Sequence, residues 1–192
     1  ATASPHTDRN LTVISGSWAA AGTFTIGTST LSMTGNGAIT APDETDFYNL
    51  TIANGITTTL TAVPGGGADM PRIRQNGTLT VNGTLTSAGS EYVRFHETGC
   101  NFVQGTNGDV TGVTTFRARG ADTLQFPKST SSKLTVTTER IDITSGSTVQ
   151  AEGALTITEE LEVNSGATFN ANGNTIAAKL VDGNGSGTLD IS

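Results

Sequence analysis

Leu79-Thr80-Val81, with Asn82-Gly83 behind it, sets two aliphatic side chains on one face of a strand and a threonine on the other. The same apolar-Thr-apolar triplet stands at Leu11-Thr12-Val13, Leu50-Thr51-Ile52, Leu134-Thr135-Val136 and Leu155-Thr156-Ile157. Variants occur at Leu31-Ser32-Met33, Ile141-Asp142-Ile143, Leu161-Glu162-Val163 and Leu189-Asp190-Ile191. Leading positions 11, 31 and 50, then 60 and 79, then 134, 155 and 176 lie 19 to 21 residues apart. Self-similarity at a fixed interval of that size is the mark of stacked repeats.

A shorter beat runs through the last third, where Val136, Ile143, Val149, Leu155, Leu161, Phe169, Ile176 and Val181 are separated by turn formers such as Ser165-Gly166 and Asn172-Gly173. Three short strands per coil fit this beat. The expected fold is therefore all-β, a parallel β-helix or β-solenoid with coils of ~20 residues and aliphatic side chains stacked rung on rung. An antiparallel β-sandwich or jelly roll is the alternative, because Asn-Gly at 54, 76, 82, 107, 172 and 184 is also a strong hairpin signal. The near-constant interval favours the solenoid, since a sandwich has no reason to keep it.

Composition agrees. Threonine is nearly a fifth of the 192 residues and glycine contributes 24, which disfavours helices and suits half-wet strands. Seventeen acidic residues against ten basic ones give a net charge of −7, the wrong sign for nucleic acid or an anionic membrane. No apolar run is long enough to span a bilayer, so no membrane insertion is expected. The single cysteine, Cys100, has no internal disulfide partner. An opening of small residues, Ala1-Thr2-Ala3-Ser4, reads as a mature exported chain, with an extracellular, cell-surface or virion-surface location.

The expected organisation is an extended arm over 1–9 and a single solenoid domain over 10–192. Pro64-Gly65-Gly66-Gly67 and Met70-Pro71 predict an irregular loop at 62–75. The aromatic and ionisable residues crowded into 91–128 predict a lateral excursion.

Gly16-Ser17-Trp18, Gly22-Thr23-Phe24-Thr25, Thr30 to Gly35, Phe47 to Ile52, Gly77 to Leu85 and Gly166 to Asn174 resemble the repeat units of exported β-solenoid proteins. Such units occur in adhesin-like surface proteins of bacteria and archaea and in tail-fibre or surface proteins of their viruses. The resemblance implies a fold and an extracellular or virion setting, and carries no catalytic residues with it.

The candidate metal site is Asp182, Asn184, Ser186 and Asp190, whose oxygens stand at positions 1, 3, 5 and 9 of a partial calcium loop. The competing interpretation is a glycine-rich turn entering the last strand. Glu91, Glu97, Asp109, Arg94, Arg117, Arg119 and Asp122 would suit polysaccharide cleavage only if they converged. His96 with Cys100 is too sparse for zinc or for a thiol nucleophile. Trp18, Phe24, Tyr48 and Phe169 could stack on sugars or plug coil corners. No catalytic residues and no cofactor beyond calcium are expected. Open coil edges seek β-partners, so the expected function is a non-enzymatic structural subunit, a surface filament or adhesin shaft, that self-associates into a homo-oligomer or filament. The alternatives are a virion protein, either tail fibre or capsid decoration, and a module that binds or cleaves a cell-surface glycan.

Overall fold

The structure is a computed structural model that describes residues 11–13, 16–20, 27–42, 44–63, 69–89, 92–113, 115–119, 123–126, 128–129, 135–144 and 146–192. Among them are twenty strands and no helix. The first ten are β1 (Leu11–Val13), β2 (Trp18–Ala19), β3 (Thr30–Met33), β4 (Gly37–Ala41), β5 (Asp46–Ile52), β6 (Thr57–Ala62), β7 (Asp69–Val81), β8 (Thr84–Ser87), β9 (Tyr92–His96) and β10 (Asn101–Gln104). The second ten are β11 (Asp109–Val110), β12 (Thr115–Arg119), β13 (Thr123–Phe126), β14 (Lys128–Ser129), β15 (Thr135–Ile143), β16 (Thr148–Ala151), β17 (Ala154–Val163), β18 (Thr168–Asn170), β19 (Ile176–Gly183) and β20 (Thr188–Asp190).

Every pair among these strands is parallel, which removes the sandwich alternative. The chain winds as a β-solenoid of about six turns with coils of about 21 residues. One coil shows the plan. Arg140–Ile143 lie on a first face, β16 on a second and Ala154–Ile157 on a third, and Leu161 then stacks under Ile141. Phe169 likewise stacks on Val149 and Ile176 on Leu155. Each rung repeats its own coil position, so apolar side chains meet apolar ones inside and polar ones line up outside.

The triplets explain the register. Leu11, Leu31 and Leu50 are successive partners, and Leu31, Met33, Leu50 and Ile52 are fully buried. Outside, Thr30, Asn49, Thr78 and Asn101 form one polar column, in which Asn49 donates to Thr30 Oγ1 at 3.3 Å and accepts from the Thr78 amide at 3.0 Å. Corners need left-handed backbone, and Gly146 and Gly166 provide it at φ 78° and 74° on adjacent coils.

Four expectations are corrected. Within 62–75, β6 runs to Ala62 and Asp69 to Gln75 belong to β7; residues 64–68 lie outside the described residues. Pro71 is tolerated because the pairing of β7 with β9 slips between Asp69 and Arg72, where no ladder donor is required. Among the described residues of 91–128, strands β9 to β14 continue the coils and show no excursion; the rhythm is hidden because Phe95, Phe102 and Phe116 replace aliphatic residues in the core. The interval from 60 to 79 is coincidental: Leu60 pairs with Ile39 on the third face, and Leu79 stacks on Leu50. In the last third the partner of Leu155 is Val136, two residues beyond Leu134. The arm over 1–9 lies outside the described residues.

The long strands turn a corner without a break, and the corner differs between the halves. In β5 and β7 the chain passes from the first face to the second, with a register shift between Phe47 and Asn49. In β15, β17 and β19 it passes from the third face to the first, with shifts after Thr138 and after Ile157.

Candidate functional site

The first face carries most of the charge. Down its central column, Asp46, Arg72, Arg94, Arg117, Asp142, Glu162 and Asp182 follow in register. In the neighbouring column His96 and Arg119 are register partners. In-register stacking places each arginine ~4.8 Å from the next, a repulsive arrangement that needs counterions.

Carboxylates from the same face provide them. Arg72 pairs with Asp46, and its Nη1 lies 3.3 Å from Glu44, whose other oxygen is 3.6 Å from Arg94 Nη1. Arg94 is only 4% exposed. Glu44 and Glu97 both sit at positive φ, 57° and 79°, a costly backbone for an ordinary residue that aims their carboxylates over the arginines. Lower down, Arg117 Nε donates to Asp142 Oδ2 at 2.6 Å, while Asn164 donates to Asp142 Oδ1 at 3.1 Å. Arg140 pairs with Glu162 and reaches Glu160 at 3.3 Å. Arg117, Arg140, Asp142, Glu162 and Asn164 line a groove of about 600 Å³ with Thr144 and Ser165. The carboxylate oxygens of Asp142 are both spent on cationic or amide donors. That is a clasp for charge.

Of the residues singled out for cleavage, the structure brings together Arg94, Arg117, Arg119 and Glu97 on this face. Asp109 lies on the third face beside Thr84, and Glu91 and Asp122 lie outside the described residues. Glu44, Asp46, Arg72, Arg74, Arg140, Asp142, Glu160 and Glu162 were missed. Their signal was present in Arg72-x-Arg74, Arg94-x-His96 and Arg117-x-Arg119, three alternating cationic pairs spaced by one coil.

His96 Nε2 is 3.3 Å from Glu97 Oε1. Burial lowers its pKa below 6.5, and Arg94 and Arg72 lower it further against the opposing pull of Glu97. The unfolded chain therefore binds this proton more readily than the folded one. The stability it contributes is full above 6.5 and falls as pH drops through that value towards the folded pKa. The thermal midpoint, followed by circular dichroism, should fall between about pH 7 and about pH 5, and fall less in His96→Gln.

Cys100 is buried with Sγ within 3.4 Å of the Ile73, Arg74 and His96 carbonyls, and burial pushes its thiol to about 11. It is a core donor. Trp18 packs edge-on against Phe47 at 5.5 Å, and Phe169 is fully buried, so both serve the interior; Phe24 lies outside the described residues.

The four calcium candidates are spread over the last coil. Asp182 lies near the end of its strand beside Glu162, Asn184 donates its amide to Val163, the Ser186 hydroxyl is 3.0 Å from that of Ser165, and Asp190 accepts from Ser192. Among the described residues, no group of three His, Cys, Asp or Glu could hold a metal ion. Nor do they include a helix long and apolar enough to cross a membrane.

The final coil has a second feature. Val181 stacks on buried Leu161 and Leu189 on buried Phe169, yet Leu180, Val181, Leu189 and Ile191 are 53%, 45%, 43% and 76% exposed. Val181 and Leu189 thus continue core rows that no further described rung covers, while Leu180 lies in the outward column of Arg140 and Glu160. Strands β1 and β19 stand at opposite ends of the longest sheet, each with one unpaired edge among the described strands.

These two features belong to a parallel β-solenoid. No family model, curated protein or solved structure matches the chain.

Proposed function

We propose that the chain is a non-enzymatic structural element, a stiff shaft of an exported filament or adhesin, extended by end-on stacking of coils. The observation that supports this is the outermost described rung, where Val181 and Leu189 continue buried core rows yet are 45% and 43% exposed, beside a strand edge unpaired among the described strands. The occupant is a second copy. A parallel coil presents donors, acceptors and side chains at the spacing of the next coil, and a head-to-tail contact of this kind repeats into a filament. The exported setting is supported by composition and by the resemblance of the repeats.

Multi-angle scattering coupled to size exclusion should show mass rising with concentration, and negative-stain microscopy should show rods lengthening. Leu189→Asp places a charge where apolar contact is needed and should hold the chain at its shortest form. A wild-type chain that stays at one rod length at the highest attainable concentration overturns the proposal.

A further inference from the structure

We propose that Asn184-Gly185, at the corner between β19 and β20, is a self-modifying site: the Gly185 nitrogen closes on the Asn184 side chain, expels ammonia and leaves a carboxylate beside the outermost described rung. Seven Asn-Gly pairs occur in the chain, at 36, 54, 76, 82, 107, 172 and 184. Glycine has no Cβ to shield its nitrogen, so each pair is competent for this ring closure in an unfolded chain. The fold sorts them, because closure needs a side chain free to swing and a nitrogen that can come within about 3–3.5 Å of Cγ.

Six of the pairs are held. Asn36 Oδ1 accepts from the Thr57 amide at 2.8 Å, and Asn107 Nδ2 donates to Asn54 Oδ1 at 3.2 Å, which ties two pairs at once. The Gly108 and Gly173 amides donate to the Gly105 and Ser192 carbonyls, both at 2.9 Å. The side-chain oxygens of Asn76 and Asn82 lie against Gly99 and Gly105, each 2.2 Å from where a Cβ on that glycine would stand. Asn184 and Gly185 are exposed, and among the described residues neither the Asn184 side chain nor the Gly185 nitrogen makes a hydrogen bond. One coil earlier Asn164 shows the contrast, since its side chain donates to Asp142 at 3.1 Å and a serine follows it.

The reaction consumes only water. The Gly185 nitrogen bonds to Asn184 Cγ as the side-chain nitrogen leaves, and the departing ammonia carries off the glycine's proton. Water then opens the five-membered imide at either carbonyl, giving aspartate, or isoaspartate with one more methylene in the backbone. The coil has no slack for that methylene, because Val163 pairs with Gly183 and Thr168 with Thr188, and the two corners between them match residue for residue. Both products also bring a charge to the corner that leads into Leu189, where apolar contact with a second copy is needed, so modification opposes rod growth. That last step rests on end-on stacking; the chemistry at Asn184 does not.

The test incubates the full chain at mildly alkaline pH, folded and in urea, and follows each Asn-Gly pair by peptide mass mapping that separates aspartate from isoaspartate. In the folded chain Asn184 should lose ammonia about tenfold or more faster than the other six. In urea the seven rates should converge. Asn184→Gln, whose longer side chain would have to close a six-membered ring, should abolish the fast phase and leave the circular dichroism spectrum unchanged. A folded chain in which Asn184 reacts no faster than the other pairs overturns the proposal, as does the same ranking in urea, which would make local sequence the cause. Scattering on fresh and aged chain reads the second half separately. Aged wild type should form shorter rods than fresh, and aged Asn184→Gln should keep its length. Rods that lengthen equally after full conversion overturn the effect on growth, whereas fresh chain that never lengthens refutes end-on stacking and leaves the mass readout to decide the site.

Discussion

Phe102→Ala should lower unfolding stability by about 3–5 kcal/mol, because the ring is fully buried and the coil has no means of closing the void. Phe102 lies 5.5 Å from the Phe116 ring and 6.0 Å from Phe95, and Phe95 and Phe116 stack at 6.4 Å. Three rings from two adjacent coils thus fill the section where the rod is widest in aromatic residues. Backbone hydrogen bonds on both sides fix the rung spacing, so neighbouring coils cannot collapse inward. Urea denaturation should show the midpoint shifting with little change of slope. A loss below about 1 kcal/mol would mean that the core there is plastic.

Gly83→Ala should cost about 3 kcal/mol for the opposite reason, an atom too many. A Cβ at Gly83 would stand 2.2 Å from the Ile56 carbonyl oxygen and 2.3 Å from that of Ala53. Both belong to the preceding coil's corner, and Ile56 already accepts from the Thr84 amide at 2.7 Å, while Asp109 donates to Gly83 at 2.8 Å. Neither coil can retreat without breaking the ladder. Gly183→Ala, with nothing within 4 Å, is the control and should be near neutral in the same melt. Equal effects at the two glycines would remove close approach as the cause.

Much of this architecture is written locally. Leu11, Leu31 and Leu50, and again Leu155 and Ile176, are register partners at the interval read from the chain, and at Leu31, Leu50 and Leu155 a buried aliphatic residue alternates with an outward serine or threonine. The Asn-Gly pairs did not distinguish hairpin from coil. A left-handed residue such as Asn76 at φ 59° or Gly55 at φ 73° turns a corner as readily as it reverses a strand, and the direction of the next strand depends on pairing that is not local. The charged face was the least legible part. Its ion pairs join residues 26, 22 and 25 apart, as in Arg72 with Asp46, Arg140 with Glu162 and Arg117 with Asp142. Such pairings emerge only once the unequal coil lengths are known. The exposed last rung was visible as the triplet Leu189-Asp190-Ile191, which on its own looks like any buried rung.

The change of corner has a mechanical consequence. Above and below, strands of up to ten and thirteen residues wrap two faces and tie them into one unit. Between Tyr92 and Ser129, where the wrap passes from one edge to another, no described strand exceeds five residues. Under tension the molecule should behave as two stiff springs in series with a softer waist, and amide protons in the waist should exchange sooner than those on either side.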